Sequence, residues 1–212
     1  MFKNYFKTAF RNLLREKGST FLNISGLTLG ISCSLVLFLL VRHMSTFDNY
    51  HKNRDRISRV ISEWDGHGKR SLTPGVPPVQ PDAFRNDFPE AEEVTFTTYR
   101  QNALISIPQR QGESKKYIEE GGVVFAEANF FKIFDRPIVT GSAEKGLDDP
   151  NEAIISESLA KKYFGEADAM GQVVRFDTME YRITAVMADY PANTDLPFSL
   201  MLSYASIKSV RD

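Results

Sequence analysis

The chain has 212 residues but only one cysteine, one tryptophan and three histidines, and its formal charge is -1. Cys33 has no second cysteine to pair with, which excludes an intramolecular disulfide framework and leaves the compartment open. His43, His51 and His67 are scattered, with no cysteine cluster beside them, so no metal or other cofactor is expected. The near-neutral balance argues against a nucleic-acid surface, where a clustered basic excess is expected. A further absence organises the rest: Gly18 to Val41 contains no Asp, Glu, Lys or Arg, although these residues make up 25% of the chain.

That gap is bracketed by Lys17 and Arg42. At about 1.5 Å per residue, Phe21 to Val41 spans about 30 Å as a helix, the thickness of a bilayer's hydrocarbon core. One transmembrane helix over residues 18–41 is therefore expected. Before it, Phe2, Tyr5, Phe6, Ala9, Phe10, Leu13 and Leu14 fall on one helical face, with Lys3, Lys7, Arg11 and Arg15 on the other. This pattern over residues 1–17 suits an amphipathic helix in a membrane interface, its cations toward anionic head groups; packing on a soluble core is the alternative. A cleaved signal peptide fits poorly, since Arg-His-Met follows Val41 where a small-x-small site belongs. Ser32-Cys33 fits a lipoprotein site no better, because the most apolar run, Leu35 to Val41, follows the cysteine.

Charge favours a cytoplasmic N-terminus only slightly. Lys3, Lys7, Arg11, Arg15 and Lys17 precede the span against Glu16 alone; Arg42, Lys52, Arg54 and Arg56 follow it, opposed by Asp48 and Asp55. Within the span, Gly26, Gly30 and Ser34 share one face at four-residue spacing. Small residues there let another helix approach closely, so this face is expected to pack against neighbouring helices.

Residues 42–212 read as one mixed α+β domain. Strands are expected over Ile57–Trp64, Val94–Arg100, Ala103–Ile107, Lys116–Glu119, Gly122–Ala126, Ala153–Ser156 and Phe198–Tyr204, with a hairpin from Gln172–Asp177 and Tyr181–Met187. Short helices are expected over Asp82–Phe88, Asn129–Phe134 and Glu157–Phe164, the last capped by Ser156 and followed by Gly165. Gly66 to Pro81, rich in Gly and Pro, reads as a loop. The chain stops at Arg211-Asp212 without a capping signal or a second apolar stretch, which reads as a truncation.

Chemistry is scarce. Ser158 and Lys161 match S-x-x-K, but the S-D-N and K-T-G partners of penicillin-recognising enzymes are missing, and both residues read as exposed helix positions. Glu92-Glu93, Glu119-Glu120 and Asp148-Asp149 are adjacent acids that point to opposite faces of a strand, or sit in loops. Gly66 to Arg70 lacks the spacing and the Ser/Thr of a phosphate loop, so ATP binding is not expected. His43 is expected at the membrane surface and His51 in a turn. The pattern describes a binding or force-transmitting part, not an enzyme.

Several stretches together resemble one family. Arg11-Asn12-Leu13 leading into Phe21 to Gly30 is similar to the opening of FtsX-like ABC transporter permeases. Phe47-Asp48 with His51-Lys52-Asn53 and Arg56-Ile57 resembles the start of a MacB-like periplasmic core domain. Asp87 to Glu90, Asn129 to Phe134, Ile155 to Gly165, Met170 to Gln172 and Pro191-Ala192-Asn193 also fit. The resemblance implies a bacterial inner-membrane protein with its N-terminus cytoplasmic and the domain from Arg42 periplasmic. It implies a separate ATP-binding subunit, further permease helices or a second permease copy as a dimer partner, periplasmic partner proteins, and mechanotransmission or export as the work done. Two readings of other classes stay open: a single-pass anchored periplasmic sensor or adaptor, and a hydrolase resting on Ser158 and Lys161.

Overall fold

The computed structural model describes all residues except Met1, His67, Arg110, Gln111, Glu144 and 209–212; the side chains of Phe2, Lys3, Phe6, Ala9 and Lys69 are also outside the description. The chain end and three positions of the N-terminal aromatic face therefore fall outside it, as does His67. The chain divides into two compact units, Met1–Phe47 and Asp48–Asp212.

The first unit is two helices, α1 (Phe2–Arg15) and α2 (Lys17–Met44). They break at Glu16, whose backbone leaves the helical region, and Thr20 Oγ1 donates across the break to the Leu13 carbonyl at 3.0 Å. On α1, Tyr5, Phe10, Leu13 and Leu14 are exposed. No residue of α2 is buried, and it is the one described helix long and apolar enough to cross a membrane.

In the second unit, a two-stranded hairpin, β1 (Ser62–Gly66) and β2 (Lys69–Thr73), precedes α3 (Gln80–Asp87). The expected strand from Ile57 thus begins only at Ser62, and the expected loop holds a strand. Gly68, at φ +77, supplies the left-handed turn that lets Lys69 to Thr73 fold back, which composition alone concealed. A nine-stranded sheet follows: β3 (Thr97–Arg100), β4 (Ala103–Ile107), β5 (Lys115–Glu119), β6 (Val123–Ala126), β7 (Ile138–Gly141), β8 (Glu152–Ser156), β9 (Val173–Phe176), β10 (Met179–Met187) and β11 (Leu200–Ser203). Three helices accompany it: α4 (Phe130–Ile133), α5 (Glu157–Phe164) and α6 (Ala205–Lys208). Strand β7 and helix α6 were not expected from the sequence; both are short, and neither carries a clear period.

The spatial order is β3-β6-β11-β8-β10-β9-β4-β5, with β7 also on β10; β6 with β11 and β8 with β10 are parallel, and the other pairs are antiparallel. Mixed helix and sheet segregate as α+β, as expected. Both faces of the sheet are covered, so its central strands read as unbroken apolar runs: VVFA, AIIS and LMLS. One core gathers Phe125, Ile155, Tyr181, Ile183 and Leu202 with Leu159 and Tyr163 of α5. The other gathers Val124, Ile154, Ala185, Met187 and Met201 with Phe130 of α4.

β10 changes core midway. Tyr181 and Ile183 lie in the first cluster, Ala185 and Met187 in the second, and the register against β8 shifts between Ile183 and Ala185. An extra residue at Thr184 reverses the alternation. Its hydroxyl lies 2.8 Å from the Gly146 carbonyl and 3.0 Å from that of Ala153, which satisfies the buried side of the bulge. Gly141 of β7 meets the bulge so closely that a Cβ there would lie 2.4 Å from the Thr184 carbonyl.

Candidate functional site

Three segments distant in sequence meet around Asp48, the first residue of the second unit. Asp48 adopts φ 55, a left-handed conformation that a short polar side chain tolerates. Its amide donates to the Asn193 carbonyl at 3.1 Å, and its carboxylate accepts from Thr194 Oγ1 at 2.6 Å and from the Asp195 amide at 3.2 Å. The single Thr194 hydroxyl proton is given to Asp48, so the Tyr50 hydroxyl, 3.0 Å away, donates to Thr194, as does the Leu196 amide at 3.1 Å. This network ties residues 48–50 to the loop after β10.

His51 extends the clasp to the segment after α4. Expected in a turn, it does follow one, but it is buried, only 4% exposed. Nδ1 accepts from the Asp135 amide at 3.0 Å, and the ring packs on Tyr50 at 4.0 Å and edge-on to Phe134 at 5.3 Å between centroids. Burial holds its pKa below the ordinary 6.5, against the pull of Asp48 and Asp135. Next to it, the Lys52 amide donates to Asp135 Oδ2 at 2.6 Å.

Arg136 fixes the third side. The residue is 7% exposed, and its guanidinium donates to the carbonyls of Leu196 at 3.3 Å and Phe198 at 3.1 Å, with the Tyr190 ring at 5.8 Å. Burial lowers its pKa, yet a guanidinium stays charged at any ordinary pH. Thus Arg136, shortly after the aromatic helix, pins the loop that in turn holds Asp48. The sequence reading placed Asp48 and His51 in one motif and Asn193 in another, and gave no part to Tyr50, Asp135, Arg136 or Thr194. The available signal was a lone Asp-Arg pair directly after NFFKIF, a charge where the surroundings are apolar.

The arrangement joins three segments of the chain through hydrogen bonds, ring contacts and a buried arginine. No group of three or more metal-ligating side chains occurs among the described residues. The S-x-x-K pair is separated by its partners: Ser158 Oγ donates to Asp189 Oδ1 at 2.7 Å, while Lys161 pairs with Glu166 at 3.2 Å. The adjacent acids also take separate partners. Glu92 pairs with Arg56 and Glu93 with Lys132, while Glu119 receives Lys162 and the Tyr163 hydroxyl. Gly26, Gly30 and Ser34 line one shallow groove along α2, and a Cβ at either glycine would meet nothing within 4 Å.

Comparisons with known proteins follow the domain. The model of the MacB-like periplasmic core domain matches residues 20–211. A solved domain of a protein described as a permease from Porphyromonas gingivalis is 22% identical, with TM-score 0.52 over 64% of this chain and 55% of that one. The periplasmic region of MacB from Actinobacillus actinomycetemcomitans is 14% identical, with TM-score 0.45 over 60% of this chain and 56% of that one. The extracellular domain of the ABC-type transporter YknZ from Gram-positive bacteria is 12% identical, with TM-score 0.39 over 56% of this chain and 57% of that one. The chain thus spans little more than half the length of the solved structures it matches, and the first of these likenesses speaks for the fold alone. No curated protein matches it.

Proposed function

The chain belongs to the MacB-like periplasmic core domain family, and from this premise we propose that it is the N-terminal part of a non-catalytic permease subunit of a MacB/FtsX-type ABC transporter. In this reading α2 crosses the bacterial inner membrane with its N-terminus cytoplasmic, and α1 lies in the interface with its basic face on anionic lipid. The domain stands in the periplasm. A separate subunit hydrolyses ATP, and the resulting helix motion is passed to the domain, which acts on a periplasmic partner or cargo. The observation that carries this is the clasp around Asp48. It begins soon after Met44, the last residue of α2, and ties the chain there to two distant parts of the sheet domain. In this reading a displacement of the helix end reaches the loop after β10 and the segment after α4 together.

The Gly26, Gly30, Ser34 face is assigned to packing against other permease helices, or against a second copy. Replacing Gly26 and Gly30 by Leu tests it. Native electrophoresis of complexes from the producing cells is expected to show loss of the assembly that contains an ATP-binding subunit. Unchanged assembly would favour a single-pass sensor or adaptor instead. The genes beside this one give a second check, since the permease reading requires an ATP-binding subunit, and a neighbourhood and purified complex both without one would sink it.

A further inference from the structure

The clasp contains one group on whose protonation its geometry depends. Nδ1 of His51 receives the Asp135 amide, and a nitrogen can accept only while it carries no proton. The structure therefore requires the neutral ring with its hydrogen on Nε2. That nitrogen is buried, makes no hydrogen bond among the described residues, and faces Asp48 Oδ1 across 4.0 Å. A second proton on the ring does two things at once: it sets an N–H against the Asp135 N–H, and it gives Nε2 a full charge opposite a carboxylate.

We propose that His51 is a proton-operated catch that exchanges its tether to the Asp135 backbone for an ion pair with Asp48 on acidification, leaving Lys52 and the Asp135 side chain as the polar tie between the segment after α4 and the first turn of the domain.

The charged surroundings set the balance. On its own segment stand Asp48, Tyr50 and Lys52; from the segment after α4 come Asp135 and Arg136; from the loop after β10 come Asp195, whose amide bonds Asp48, and Tyr190 beside Arg136. Asp48 and Asp135 favour the imidazolium, whereas burial and the Arg136 guanidinium oppose it. Lys52 Nζ, 3.8 Å from Asp135 Oδ1, weakens the pull of that carboxylate. Asp48 already accepts from Thr194 and Asp195, so it is held in place to receive the ring. Histidine is the side chain that titrates in the range where an extracytoplasmic domain meets acid. The physiological meaning rests on the permease reading, in which the catch sets how firmly helix motion reaches α4; the chemistry of the catch does not.

The test uses the full chain in lipid nanodiscs with 15N-labelled histidine. At pH 7.5 the His51 signals are expected to report the neutral tautomer with its proton on Nε2. As they titrate, protection of the Asp135 amide against exchange, corrected for the intrinsic rate, is expected to fall at least tenfold. In His51→Asn the amide oxygen takes the place of Nδ1 and does not titrate, so protection is expected to hold across the same range. Unchanged Asp135 protection while His51 protonates would overturn the proposal, as would an equal loss in His51→Asn. If that variant does not fold, the two wild-type readings decide alone. Neither outcome bears on whether an ATP-binding subunit is present, so the permease reading stands or falls separately.

Discussion

The two units use the same residues in opposite ways. In the sheet, Ile154, Leu200 and Leu202 have no exposed surface, while on α2 Phe21, Leu22 and Leu29 expose 70% or more of theirs. Propensity does not explain the difference, since Leu and Phe serve both. What differs is the cover: strands bury their side chains against one another and against α4 and α5, whereas α2 is apolar around its circumference without a buried residue. At about 25 cal/mol per Å² for apolar surface removed from water, an uncovered helix of this length calls for lipid or other helices around it.

The contrast is broken most directly by truncating one phenylalanine in each unit. Phe125→Ala removes a ring 2% exposed that contacts Phe176 and Tyr181 edge-on, and is expected to cost about 3–5 kcal/mol. Phe38→Ala is expected to leave unfolding of the domain unchanged. Denaturant titration of the full chain in detergent, followed by near-UV circular dichroism, compares the two. Equal losses would mean that α2 is part of the domain's cooperative unit.

Next in size is the clasp, where polar groups do what apolar packing does elsewhere. Arg136→Met keeps most of the volume but strips the donors from the Leu196 and Phe198 carbonyls, for an expected loss of about 1–3 kcal/mol. Protease cleavage within residues 188–198 is expected to rise in step. Acidity probes the same clasp more gently. Because burial lowers the folded pKa of His51, the unfolded chain binds more protons in the window between that value and 6.5. The His51 contribution is therefore complete above pH 6.5 and falls as pH drops through the window toward the folded pKa. Melting temperatures of wild type and His51→Asn are expected to converge as pH is lowered through that window.

The sheet's strong elements were legible because period and composition agree there. Glu157–Phe164, with its serine cap and Gly165, is read to the residue, and the apolar runs of β6, β8 and β11 mark strands buried on both faces. The β1–β2 hairpin was hidden by the Gly and Pro around it, and the Thr184 bulge by an alternation that looks continuous through Met187. The clasp was legible only in pieces. Asp48, His51 and Asn193 belong to stretches that resemble the family, but Asp48 and Thr194 are 146 residues apart, and no local signal says that such groups will meet. Arg136 donates to backbone carbonyls, and carbonyls leave no trace in a sequence.

The smallest effects come from two serines that restate the contrast within one turn of helix. Ser156 is fully buried, and its hydroxyl accepts from the Leu159 amide as the cap of α5; Ser158 is exposed, and its hydroxyl donates to Asp189. Losing the cap in Ser156→Ala leaves a buried donor without its partner and is expected to cost about 1 kcal/mol. Ser158→Ala removes a hydrogen bond that water replaces, while the residue 158 amide keeps its own bond to Asp189, so about 0.5 kcal/mol or less is expected. The same variant settles the S-x-x-K resemblance. Lys161 is engaged by Glu166, and the Ser158 proton is directed at the Asp189 carboxylate, so Lys161 is not placed as the base that S-x-x-K chemistry asks of it. A fluorescent β-lactam is expected to label neither wild type nor Ser158→Ala; labelling of the wild type that Ser158→Ala abolishes would restore the hydrolase reading.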